Sequence, residues 1–440
     1  MEGDVDHEGQ GADPAPISPG YSYYVLALLF FVYVFNFVDR QVLAILLVPI
    51  QEDLGVSDTF MGALTGFAFA LFYTFAGIPI ARLADRASRR SIIALGLVVW
   101  SSMTAVSGLA RTGLHLAVAR IGVGIGEAAG TPPAHSLLSD YFGPERRATA
   151  LSIYAMGVYI GVAAGFMGGG WLATQFGWRV VFGVVGLAGI PLAVLVRTTI
   201  RELPRGFSDP GSVQHHEPAP FWQTIGSLLR NRSLVFIVLA TSLQSLWGYG
   251  ILAWGPTFLI RVHGMELAEV GFKLGLPIGL LGGAGVFFGG WLADRYGRDD
   301  PRWYMRLPAI ECALVFPLAI LFILADSQLM AMVFFCPLYF VGAMYVGPMH
   351  STIQGLVVPS QRAMASAANL FTVNMLGLGM GPLVIGLLND ALASSFGDVS
   401  IRWSMMVAAV LGSGSSVLFW LSSRTLPRDL QTARDATQGR

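Results

Sequence analysis

Long apolar runs alternate with short polar connections along this chain, and each run has the ~20-residue length that an α-helix needs to cross a bilayer. The runs fall at about 23–47, 60–81, 91–110, 114–138, 149–175 and 180–199, then at 233–260, 270–293, 306–325, 329–357, 363–389 and 402–423. Between the two sets of six, residues 200–232 are rich in Pro, Gly, Asp and His, and Phe221–Arg230 is short and amphipathic enough to lie at a membrane interface. The pattern predicts a disordered cytoplasmic tail at 1–20, six-helix bundles at 21–199 and 233–424, a cytoplasmic linker at 200–232, and a second tail at 425–440. No secretory signal is expected, because the first twenty residues are acidic and Gly/Pro-rich where such a signal is basic and then apolar.

Composition agrees with the pattern. The 440 residues are 54% hydrophobic and 12% charged, with a mean hydropathy of +0.62, whereas soluble domains carry about 25% charged residues. Lys+Arg and Asp+Glu are both 27, so net charge points to no partner such as nucleic acid, but the placement of charge is informative. With the connection after the second run in the cytoplasm, twenty arginines lie inside and five basic residues outside, while Arg40 and Arg120 fall within spans. Both termini are then cytoplasmic. Cys312 and Cys336 sit inside predicted helices and read as small buried hydrophobes.

Two landmarks of the first half recur in the second. LADR at 83–86 returns 209 residues later at 292–295, and PxxRAxA at 144–150 returns 215 residues later at 359–365. Such duplication is common in transporters, whose substrate sites lie between the repeats near the membrane midplane.

Charge inside the spans marks the candidate site, because ionisable groups in a bilayer face bundle interiors and serve substrate or proton pathways. RIGVGIGEAAG, at 120–130, puts Arg120 and Glu127 on one helical face, roughly 10.5 Å apart along the axis. Beside them Gly122, Gly126 and Gly130 form a flank that lets another helix approach. In the first run Asn36, Asp39 and Arg40 share an arc of roughly 100°. A fixed structural pair, Asp39–Arg40 or Glu127–Arg40, is the competing reading. Arg120 fits a bridge to a neighbouring helix as readily as a substrate contact. Gly157, Gly161, Gly165 and Gly169 leave one stripe of the fifth helix bare and predict a close helix contact.

Elsewhere, Asp85, Arg86, Arg89 and Arg90, with Asp294 and Arg295, are expected in cytoplasmic connections as gating charges, and topology alone is the alternative. Trp247, Tyr249 and Trp254 flank glycines in the seventh helix and could line a cavity for an acyl chain. Glu311 and His350 could line it too, His350 equally being an interior histidine satisfied by neighbours. The chain has no GxxxxGK[ST] phosphate loop and no metal-ligand cluster, so direct ATP drive and metal chemistry are not expected.

The loop LADRASRR, its second copy LADRYGR, the basic PERRA turn, the intramembrane Arg120 and the six-plus-six layout resemble the major facilitator superfamily. Within it, FNFVDRQVLAILLVPIQEDLGVSD at 35–58, RIGVGIGEA at 120–128 and SDYF at 139–142 are similar to the spinster family of sphingolipid and lysophospholipid transporters, in a bacterial member. Ala81 and Ser88 depart from the glycines usual in the loop motif. The resemblance implies twelve transmembrane helices in two bundles around a central cavity, alternating access, and a proton- and substrate-responsive centre at Asp39, Arg40 and Glu127. No cofactor beyond the proton gradient is expected. The expected protein is a monomeric secondary transporter of the bacterial inner membrane, moving an amphipathic lipid or related organic anion. In the expected mechanism, an anionic head group takes Arg40 and frees Asp39 or Glu127 to accept a proton, since a guanidinium favours a carboxylate and desolvation its neutral form. An exporter or uniporter of drug-like amphipaths is the nearest alternative, and a lipid-binding receptor or scaffold is another class.

Overall fold

Helix starts and stops follow local chemistry. Ser18 accepts from the Tyr21 amide ahead of Pro19, and Ser57 does the same for Phe60, so two spans begin on side-chain caps. The computed structural model describes residues 17–208 and 221–437. The first half comprises α1 (Pro19–Ile45), α2 (Asp58–Ala84), α3 (Arg89–Ser107), α4 (Gly113–Glu127, then Thr131–Tyr141), α5 (Pro144–Phe176) and α6 (Trp178–Thr199). The second comprises α7 (Arg232–His263), α8 (Leu267–Gly297), α9 (Trp303–Ile323), α10 (Gln328–Gly355), α11 (Arg362–Thr372 running through Val373–Gly379 into Met380–Phe396) and α12 (Ser400–Thr437). Among the described residues these make twelve crossings in an all-α membrane fold of two six-helix bundles.

Two differences from the expected boundaries have physical causes. The fourth span is not one helix from 114 to 138: it breaks after Glu127, where Pro132 and Pro133 begin the next segment without amide donors to offer the preceding turn. The last helix runs through the expected tail to Thr437, because Leu426 is buried in the core of its half and Asp429 accepts from the Ser233 amide at 2.9 Å. The N-terminal tail at 1–16 and linker residues 209–220 lie outside the described residues. The amphipathic helix Phe221–Arg230 is present, with Leu228 buried against the second half and Trp222 and Leu229 exposed.

Glycine stripes set the seams. A side chain at Gly161 or Gly165 would strike the α1 backbone at Val34 or Val38, so α5 lies directly on α1. The Gly126 flank of α4 meets α3 in the same way, at Trp100. Between the halves, α5 packs on α8 through Gly271 and Gly275, and α2 packs on α11 through Gly62 and Gly66. At that second seam both helices loosen into a π-helical stretch, Ala63–Ala68 facing Val373–Gly379. Such local widening is frequent at functional sites.

Candidate functional site

The charges of α1 and α4 meet in two pairs. Arg40 Nε donates to Glu127 Oε2 at 2.6 Å, and Arg120 Nη1 donates to Asp39 Oδ1 at 2.6 Å. Arg120 and Glu127 therefore share a face, and both look at α1. Their surroundings differ. The Asp39–Arg120 pair is sealed, its side chains 2% and 3% exposed, and the Thr104 hydroxyl of α3 donates to the second Asp39 oxygen. The Arg40 side chain keeps 15% of its surface open although Glu127 is fully enclosed.

Around Arg40 the chain builds an aromatic wall. Its guanidinium carbon lies 4.7 Å from the Phe69 ring centre, 4.9 Å from that of Tyr73 and 5.1 Å from that of Phe37. Phe69 and Tyr73, one turn apart on α2, stack at 5.6 Å, and Tyr33 joins Phe37 on α1 at 5.2 Å. From the second half, Tyr249 packs against this core and lies within electrostatic reach of Arg40. Only Nε of the guanidinium is hydrogen-bonded among the described residues, so both terminal nitrogens remain available. Such a fork matches a carboxylate or phosphate bidentately, and the ring faces add cation–π attraction.

Other candidates fall elsewhere. Trp247 is not part of this aromatic wall: it is 3% exposed and packs on Gly412 of α12 inside its own half. Trp254 is likewise enclosed, its indole donating to the Pro382 carbonyl. Asn36 is buried one turn before Asp39, and Glu311 is buried in α9 with neither oxygen partnered among the described residues. His350 is exposed on α10. Phe69 and Tyr73 of the aromatic wall, and Thr104 beside Asp39, were not singled out in the sequence, although Phe69 and Tyr73 at four-residue spacing present one helical face.

At the end of the bundle that holds both termini, the expected gating charges divide. Arg89 and Arg90 do not reach the other half. Arg89, 1% exposed, pairs with Asp140 and donates to Glu202 Oε1 at 2.8 Å, and the Arg90 amide donates to Glu202 Oε2 at 3.0 Å. Arg89 also holds the Leu203 carbonyl at 2.7 Å and Arg90 that of Ile200, so the segment after α6 is strapped onto the α2–α3 connection. Burial alone would raise the Glu202 carboxyl, but Arg89, the Arg90 amide and Ser88 together hold it below its ordinary value. Asp85, Arg86, Asp294 and Arg295 are exposed, and among the described residues no ion pair joins the two halves at this end.

Two six-helix membrane bundles with paired seams, carrying buried charge pairs and an arginine ringed by aromatics, are the architecture of a membrane transporter. The family model of the Major Facilitator Superfamily matches residues 29–382, and the chain belongs to that superfamily and to its spinster branch; it is a transporter and not an enzyme. A crystal structure of a bacterial homologue of the human lysosomal transporter spinster, inward-facing and unoccupied, superposes with a TM-score of 0.86 at 30% identity, over 94% of this chain and 99% of that one. An MFS-type efflux pump of Mycolicibacterium smegmatis is 34% identical over 94% of this chain and 95% of its own length. A probable galactarate/D-glucarate transporter of Bacillus subtilis is 28% identical over 90% of this chain and 92% of its own.

Proposed function

We propose that this chain moves an amphipathic anion of the lysophospholipid kind across the bacterial inner membrane by proton-coupled alternating access, with both termini in the cytoplasm. The carrying observation is the partly open Arg40 guanidinium, whose two terminal nitrogens make no hydrogen bond among the described residues and which lies among the rings of Phe37, Phe69 and Tyr73, with Tyr249 within electrostatic reach. A phosphate or carboxylate takes the fork while the rings receive the apolar portion next to it. Glu127 then loses its counter-charge in a water-poor site and takes up a proton, since an unpaired buried carboxylate is too costly to keep. Return of the proton on the other side restores the Arg40–Glu127 pair and releases the anion. Asp39, held by Arg120 and Thr104, keeps α4 in register beneath this exchange. Exposure of Asp85, Arg86, Asp294 and Arg295 fits a cytoplasmic end standing open, where these charges would meet only when it closes.

The test is flux of a labelled lysophospholipid in proteoliposomes under an imposed pH gradient. Gradient-driven flux that loses its pH dependence in Glu127→Gln supports the mechanism; unchanged pH dependence in Glu127→Gln would overturn it. The likeness to an efflux pump favours a second reading, export of small amphipaths. A hydrophobic dye carried in place of the lipid would establish that reading.

A further inference from the structure

The end of the bundle away from the termini is held by charge across the halves. Arg261, in the last turn of α7, donates from Nη1 to Asp58 Oδ2 at 2.6 Å and from Nη2 to Asp58 Oδ1 at 2.8 Å. Gln51 completes the cluster: its Oε1 accepts from Arg261 Nη2 at 3.0 Å and its Nε2 donates to Asp58 Oδ1 at 2.5 Å. Asp390 of α11 reaches the same helix start from another side, accepting from the Asp58 amide at 3.2 Å and the Thr59 amide at 2.8 Å. The start of α2, in the first half, is thus gripped twice by the second half. One grip is a bidentate ion pair, and the other is a carboxylate on amides that the helix leaves unsatisfied.

Neither grip is sealed from water. The Arg261 side chain is 21% exposed, and the cluster borders a cavity of about 580 Å³. Water can therefore replace the broken bonds when the ends separate, which a dry core pair could not tolerate. Immediately below, Gly386 meets the Asp58 carbonyl and Gly62 meets that of Pro382, so the backbones touch and nothing larger than glycine fits. The contrast with the terminus end, where no ion pair joins the halves among the described residues, makes the asymmetry electrostatic as well as steric.

We propose that Asp58, Arg261 and Asp390 form a latch that closes this end, and that its rupture admits the opposite conformation. The three are positioning residues, acting on the balance of states and not on the substrate. The inference rests on the alternating-access reading, and two spin-label pairs keep the two claims separable. In full-length protein with Cys312→Ala and Cys336→Ala, labels at Glu52 and Asp398, both exposed, span the latched mouth, and labels at Ala87 and Arg298 span the other. Pulsed electron–electron resonance on Asp58→Asn, Arg261→Gln and Asp390→Asn should show the long-distance population at the latched mouth rising about tenfold, the scale of one charge-assisted hydrogen bond. An unchanged distribution in all three variants overturns the latch. Shortening of the Ala87–Arg298 distance in step supports the two-state reading beneath it; a latched mouth that opens while the second distance stays fixed upholds the latch and overturns that reading.

Discussion

Two arginine–carboxylate pairs tie α1 to α4 in the same stretch of membrane, and their surroundings give them different work. Arg120–Asp39 is dry on every side, with Thr104 satisfying the second carboxylate oxygen. Arg40–Glu127 is dry at the acid and open at the base, with two guanidinium nitrogens unused and three rings within 5.1 Å of its centre. A pair whose partners are both enclosed can be broken only at the expense of the fold. One with an open fork can exchange its carboxylate for a substrate's. The same chemistry thus supplies a fastener and a switch, separated by one position on α1.

The largest effect should come from breaking the fastener. Arg120→Ala leaves Asp39 buried without its counter-charge, which costs about 3–5 kcal/mol, and the variant should lose detergent-solubilised protein or show a sharply lower melting temperature. Asp39→Asn paired with Arg120→Gln, which removes both charges, should recover much of that loss. Equal melting temperatures for wild type and Arg120→Ala would mean that the pair contributes nothing to the fold.

Next in size is the switch. In Arg40→Ala, water can enter the space vacated by a side chain that is 15% exposed, whereas the Arg120–Asp39 pair is dry, so stability should fall less than in Arg120→Ala. Transport of an anionic substrate should fall at least about tenfold, the worth of one charge-assisted contact. Arg40→Lys should be intermediate, because a point charge replaces a planar fork. If Arg40→Lys transports like wild type, bidentate capture is not the mode of recognition.

A smaller effect separates two aromatics of α7. Tyr249 packs against the core that holds Phe69 and lies within electrostatic reach of Arg40, and Trp247 packs in the interior of its own half. Tyr249→Ala should raise the apparent KM severalfold, in line with about 0.5–1.5 kcal/mol for an aromatic contact, with little change in melting temperature. Trp247→Ala should do the reverse, destabilising the protein while substrate recognition holds in the molecules that remain folded.

Those two aromatics show what was legible in the sequence and what was not. Apolar run length defined the crossings and intramembrane charge picked out Asp39, Arg40, Arg120 and Glu127, because both signals are local and the bilayer penalises exceptions to them. The pairing was not legible, since it depends on how α1 is rotated against α4 and on Thr104 from a third helix. Trp247 and Tyr249 were expected in one role, yet two positions on a helix differ by roughly 200° and send side chains to opposite faces. Arg261 counted only toward topology, and its partner Asp58 lies 203 positions away in the other half. The break after Glu127 was written in Pro132 and Pro133, but a purely apolar reading passes over it.

The smallest effect lies at the terminus end, where charge works within one half. Glu202 binds Arg89, the Arg90 amide and Ser88, and these contacts hold its carboxyl below the ordinary value of 4.5 despite the opposing pull of burial. A carboxylate whose folded value is depressed contributes stability that is fully present above its unfolded value and disappears as pH falls through the folded one. The strap should therefore be intact at neutral pH and weaken only below about pH 4.5. Glu202→Gln should melt slightly lower than wild type at pH 7, by less than about 1 kcal/mol for a partly exposed pair, and the two melting curves should converge as pH falls toward 3. A gap that widens on acidification would mean that Glu202 is held protonated, and that Asp140 is the one carboxylate partner of Arg89.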